Sequence, residues 1–100
     1  MDSSSIVEEA EAAVSRGDLT QAIALFERAA AAEPNDPALW MKIAAMHRGT
    51  NNPQAALDAV HRALAIAPLE FTALLMRASL LERLKDPQAN EAWGHALSTC

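Results

Sequence analysis

Apolar positions recur along this chain at steps of three and four, the spacing of one face of an α-helix. Ala22, Leu25, Phe26 and Ala29 form one stripe. Ala56, Ala59, Val60 and Ala63 form a second, and Ala89, Ala92, Trp93 and Ala96 a third. Trp40, Ile43, Ala44 and His47 make a further stripe between the first two. No period-two alternation runs long enough to argue for a strand. Polar punctuation then sets the boundaries. Ser5 with Glu8, and Asp18 with Gln21, have the spacing of a capping box. Asp36-Pro37, Asn52-Pro53 and Asp86-Pro87 each place a capping side chain before a proline that fits the first helical turn. Pro34 and Pro68 disfavour helical geometry in the residue before them. Gly17 and Gly49 sit where turns need positive φ. The pattern predicts six helices, at 5–15, 19–33, 37–49, 53–67, 71–85 and 87–98, in an all-α fold. The short connections make neighbours antiparallel.

The stripes also repeat. Pro34 and Pro68 lie 34 residues apart, as do Asp18 and Asn52, Asn52 and Asp86, Ala22 and Ala56, Phe26 and Val60, Ala29 and Ala63, and Trp40 and Leu74. The third unit fits after deletion of one residue, which sets Trp93 on Val60 and Ala96-Leu97 on Ala63-Leu64. The chain therefore reads as a single domain over 1–100, with helical hairpins at roughly 3–36, 37–70 and 71–100. A hairpin alone leaves its stripes wet, whereas stacked hairpins bury them. With 23 alanines, the helix axes can approach closely and the few bulky residues must fill the gaps.

A helix–turn–helix unit of this length resembles the tetratricopeptide repeat, whose pattern runs from Trp, Leu-Gly and Tyr on the first helix to Ala, Phe, Ala and Pro on the second. The second unit carries Trp40, Ile43-Ala44, His47, Ala56, Val60, Ala63 and Pro68. The first carries Ala22, Phe26, Ala29 and Pro34, with Ile6, Glu9 and Ala13 on a poorer first helix. The third carries Leu74, Arg77-Ala78, Leu81, Ala89, Trp93 and Ala96. Glu9 and Arg77 depart from the apolar consensus; Glu9 is expected to face solvent. The resemblance implies an α-solenoid of three repeats, stacked as a right-handed superhelix. A narrower likeness covers 68–84 (PLEFTALLMRASLLERL) and 91–97 (EAWGHAL). It is similar to tetratricopeptide segments that precede the catalytic domain of bacterial aspartyl/asparaginyl β-hydroxylase-like proteins. That likeness implies an iron- and 2-oxoglutarate-dependent dioxygenase further along a longer chain, none of whose chemistry lies in these residues.

In such solenoids the first helix of each pair lines a concave face that typically holds a peptide. The family's groove positions fall on Ser4, Val7, Glu8, Glu11 and Val14 in the first repeat. They fall on Ala38, Met41, Lys42, Ala45 and Arg48 in the second, and on Thr72, Leu75, Met76, Ser79 and Glu82 in the third. Helical arithmetic agrees: Ala38, Met41, Ala45 and Arg48 share one stripe, angularly distinct from that of Trp40. Val7, Met41, Leu75 and Met76 would form an apolar floor, and methionine adapts to varied partners. Lys42 and Arg48 are placed to pair with an acidic group on a ligand. Some chaperone-binding members clamp a C-terminal carboxylate with Lys, Asn and Arg. The matching places here hold Val7, Glu11, Lys42, Thr72 and Met76, of which only Lys42 is basic, so no such clamp is expected.

Composition narrows the remaining chemistry. Apolar residues make up 51% of the chain and charged residues 21%, which excludes a disordered chain. The net charge of −5 lacks the footprint of a nucleic-acid binder. No run approaches the ~20 apolar residues of a membrane span, and the polar start is not a secretory leader. The lone Cys100 allows neither an internal disulfide nor a thiolate cluster, which points to a reducing, cytoplasmic setting. His47, His61 and His95 have no His or Cys at helical spacing, so no metal site is expected, with His47 half-buried and the other two at the surface. The serines lack the setting of a nucleophile, and there is no glycine-rich phosphate loop. Neither a cofactor nor a catalytic residue is expected.

The expected role is a non-enzymatic interaction module that binds a protein or peptide segment. Two alternatives are an oligomerising scaffold segment and an auxiliary, substrate-presenting domain of the hydroxylase-like enzyme. The scaffold alternative rests on Trp93 and Leu97. Nothing in the sequence covers the last helix, so the two together would expose an apolar self-association face, unless Trp93 turns inward against Leu74 and Ala78.

Overall fold

The computed structural model describes residues 3–98. Cys100 lies outside the described residues. Six helices follow in order: α1 (Ser3–Ser15), α2 (Leu19–Ala32), α3 (Pro37–Gly49), α4 (Pro53–Ile66), α5 (Phe71–Arg83) and α6 (Ala89–Ser98). No strand occurs among the described residues. Each helix packs chiefly on its neighbours in sequence, α1 on α2, α2 on α3 and so on to α6. That nearest-neighbour order is the packing of a solenoid. It gives an elongated body of 41 × 25 × 18 Å.

The helix starts are capped largely as the sequence suggests. Asp18, Asp36 and Asn52 accept hydrogen bonds from the backbone N–H of Gln21 (3.2 Å), Ala38 (3.0 Å) and Ala55 (3.4 Å). Glu70 caps α5 by accepting from the N–H of Thr72 at 3.3 Å. Two starts differ from expectation. Helix α1 already begins at Ser3, so Ser5 lies inside its first turn and does not mark its start. Helix α6 begins at Ala89 and not at Pro87: the N–H of Ala89 closes on the carbonyl of Asp86, three residues back, at 3.1 Å, and Pro87-Gln88 form a turn. Helices α2 and α4 end one residue early, where Glu33 (φ −128°, ψ 68°) and Ala67 (φ −130°, ψ 84°) leave the helical region before Pro34 and Pro68.

The turn inside each hairpin has the same backbone wiring three times. The N–H of Asp18, Asn52 and Asp86 reaches the carbonyl of Ala13, His47 and Leu81, at 2.9, 2.8 and 2.9 Å. The N–H of Gly17, Asn51 and Lys85 reaches the carbonyl of Val14, Arg48 and Glu82, at 2.9, 3.1 and 3.0 Å. These two bonds define a Schellman motif, which requires a left-handed residue at its penultimate place. Gly17 (φ 79°), Asn51 (φ 62°) and Lys85 (φ 58°) fill that place. The expectation for Gly49 is therefore corrected: it stays helical, and Asn51 carries the positive φ two residues later. Helix α5 stops at Arg83, short of the expected 85, for the same reason. Of the three, only Lys85 is a residue that resists the left-handed region. Lys85→Gly is expected to raise stability by about 1 kcal/mol, or about 4–8 °C in Tm for a domain of this size. Thermal unfolding followed by circular dichroism checks it, and an unchanged or lower Tm refutes it.

The predicted stripes form the core. Ala22, Leu25, Phe26, Ala29, Ala56, Ala59, Val60, Ala63, Ala92 and Ala96 are buried, and Trp93 is half-buried. Ile43 and Ala44 are buried beside them, with Trp40 and His47 half-buried at the margin. The largest fully buried side chains are Phe26, Ile43, Leu74, Leu80 and Val60, wedged among alanines. Glu9 faces solvent, whereas Arg77 is half-buried at a place where the other repeats hold Ile43 and Glu9.

Candidate functional site

Helices α1, α3 and α5 carry the predicted groove residues. None of them is buried: Val7, Met41, Lys42, Ala45, Leu75 and Met76 are half-buried, and Glu11, Ala38, Arg48, Thr72 and Ser79 are exposed. Three shallow depressions lie among them. One, of about 350 Å³, is lined by Glu11, Val14, Ser15, Phe26, Lys42, Ala45 and Met46. A second, of about 380 Å³, is lined by Ser4, Val7, Glu33, Asp36, Ala38, Leu39 and Lys42. A third, of about 290 Å³, is lined by Pro37, Ala38, Met41, Glu70 and Thr72. The structure thus brings Val7, Glu11, Ala38, Met41, Lys42, Ala45 and Thr72 into neighbouring depressions that share Ala38 and Lys42. Arg48, Leu75, Met76 and Ser79 line none of these three.

The charges at these positions are arranged differently from the expectation. Lys42 Nζ donates to Glu11 Oε1 at 2.9 Å, tying α3 to α1, and stands 5.6 Å from the centre of the Phe26 ring. The pair is about half exposed and contributes little to stability, but it occupies the cation expected to meet an acidic ligand. Of the two cations, Arg48 alone forms no ion pair among the described residues. At the α2–α3 and α4–α5 loops the groove is instead rimmed by Glu33, Asp36 and Glu70. The sequence reading omits these carboxylates, although Asp36 and Glu70 stand 34 residues apart, on the same repeat period as the core.

A second cleft, of about 480 Å³, lies between α4, α5 and α6 and is lined by Leu57, His61, Arg77, Leu81, Asp86, Gln88, Glu91, Ala92 and His95. Its counterpart one repeat earlier measures only about 180 Å³ and includes Trp40, Ile43 and Arg62. There, the Arg62 guanidinium lies 4.9 Å from the centre of the Trp40 ring. In the third repeat Leu74 replaces Trp40, Arg77 replaces Ile43 and His95 replaces Arg62, so the same cleft stands open. Arg77 Nη2 meets His95 Nδ1 at 3.2 Å, and since arginine only donates, that imidazole nitrogen accepts. Arg77 Nε is sealed from solvent without a partner. His61 and His95 are exposed, and no group of three or more metal-ligating side chains forms among the described residues.

At the far end, the expected joint exposure of Trp93 and Leu97 is met by Leu97 alone, at 64%. Trp93 packs half-buried against the core, and its Nε1 donates to Glu82 Oε2 at 2.7 Å. A tryptophan with its N–H satisfied by a neighbouring helix loses its reason to face outward. No helix among the described residues is long and apolar enough to cross a membrane.

Three helical hairpins packed in chain order define a helical-repeat solenoid. The tetratricopeptide repeat family model matches residues 7–70 and 47–97, and the chain belongs to that family. Solved structures share the fold. The second tetratricopeptide domain of Spaghetti (RPAP3), bound to the HSP90 peptide SRMEEVD, superposes with a TM-score of 0.85 at 17% identity, covering 100% of this chain and 94% of that one. The Sgt2 tetratricopeptide domain from Aspergillus fumigatus gives 0.82 at 21% identity, over 97% of this chain and 65% of that one. MamA gives 0.90 at 16% identity, over 98% of this chain and 58% of its own. No curated protein sequence matches the chain.

Proposed function

We propose that this chain is a protein-interaction module that holds a peptide segment of its partner across the faces of α1, α3 and α5. One observation carries the reading. The groove positions combine half-buried apolar side chains (Val7, Met41, Leu75, Met76) with depressions that bridge α1 to α3 and α3 to α5. Val7, Met41 and Met76 pack one side against the core and leave the other side accessible to a ligand. The bound peptide named for the RPAP3 domain agrees with such a use of the fold. The rigidity of the stacked hairpins keeps the face preformed, so binding does not have to order the receptor.

The test uses heptapeptides selected from an unbiased display library on the intact chain. Met41→Ser with Leu75→Ser removes the apolar floor without adding charge. Selected peptides are expected to lose about tenfold or more in affinity, the scale of a lost apolar anchor. Circular dichroism reports that the variant is folded. Peptides that bind variant and parent equally well would sink the groove reading.

A further inference from the structure

We infer that the groove selects a basic, apolar segment, with Lys or Arg side chains directed to the α2–α3 and α4–α5 loops. This inference rests on the groove reading and specifies its ligand. The two depressions flanking Ala38 have apolar walls from Val7 and Leu39 in one and from Met41 in the other. Their rims hold three carboxylates, Glu33, Asp36 and Glu70, against one cation, Lys42. Lys42 is already held by Glu11 at 2.9 Å, so it offers an arriving acidic group little that is not already taken. Asp36 and Glu70 also accept backbone N–H bonds at helix starts, which fixes their positions but leaves their negative charge in place. An acidic peptide entering here meets like charges on both sides of Ala38. A basic one gains Asp36 and Glu70 as partners, and like-charge exclusion adds to the discrimination.

The probes are SRMEEVD and its charge-swapped counterpart SEMKKVK, amidated, which keep Met and Val in the same places. Fluorescence anisotropy on the intact chain is expected to show SEMKKVK binding about tenfold more tightly at low salt, the sum of two part-exposed ion pairs. The gap should narrow at about 0.5 M salt. Library-selected peptides that depend on Met41 and Leu75 should likewise carry a net positive charge. Asp36→Asn with Glu70→Gln keeps both caps, since Asn and Gln still accept the backbone N–H, and removes two charges. It is expected to reduce the preference to about threefold or less, with the helical circular dichroism unchanged. Groove-dependent peptides that are acidic or unbiased, or a preference that survives the double variant, overturn the charge assignment and leave the groove reading standing. Selected peptides indifferent to Met41 and Leu75 overturn the groove reading, and the charge assignment falls with it.

Discussion

Phe26→Ala is expected to remove about 3–5 kcal/mol of unfolding free energy, the range for a fully buried aromatic truncated in a core. Phe26 sits in α2 at 2% exposure, and its environment explains why the loss falls at the high end. The core cluster it belongs to is rich in alanine, with Ala10, Ala13, Ala22, Ala29 and Ala30 on α1 and α2. Alanine side chains cannot move to fill a void, so the cavity persists and the lost contacts are not regained. The face of the ring also carries the Lys42 ammonium, at 5.6 Å from its centre. Truncation removes that contact and loosens the Lys42–Glu11 link between α3 and α1. A domain of this size typically holds about 5–15 kcal/mol in total, so one substitution takes roughly a fifth or more. Urea unfolding at 25 °C measures it. A loss under about 1.5 kcal/mol would show that the alanine-rich core collapses around the vacancy.

Arg77→Ile should act in the opposite direction, stabilising the domain by about 1–2 kcal/mol. Two effects compete. The substitution discards the Arg77–His95 hydrogen bond, which lies at the edge of an open cleft, and a bond of that kind contributes about 0.5–1.5 kcal/mol. It also removes a sealed Nε–H with no acceptor, which costs about 1–3 kcal/mol, and buries apolar surface where a guanidinium now sits. The second effect is the larger. The architecture supplies its own control, because Ile43 occupies the equivalent place one repeat earlier at 2% exposure. Thermal unfolding should show a rise of several degrees, about 4–8 °C per kcal/mol. A fall in Tm would mean that the Arg77–His95 contact is worth more than the sealed Nε costs.

These two residues mark how far the sequence could be read. Phe26 falls on a stripe of period 3.6 that recurs 34 residues later, and periodicity alone assigns it to the core. The same holds for Val60 and Ile43, and for the caps at Asp18, Asp36 and Asn52, where a side chain bonds a backbone group two or three residues away. Arg77 lies on a stripe too, but no local rule says how a charged residue at an apolar place will be accommodated. That depends on α6, which arrives after a longer connection than the other hairpins have and brings His95. The groove divides along the same line. Which faces of α1, α3 and α5 remain accessible follows from helical arithmetic. That Lys42 is already taken does not, since Glu11 lies on another hairpin, 31 residues away.

From sequence alone follow the six helices, the repeat of 34, the alanine-rich core and the side of the solenoid left open. Each arises from interactions between residues close along the chain, repeated until the pattern stands above chance. Tertiary structure alone decided that Trp93 turns to Glu82, that Lys42 is tied to Glu11 and that Arg77 lies half-buried against His95. Those outcomes depend on which side chains meet across separate helices. Contacts of that kind have no fixed spacing in the sequence from which to be read.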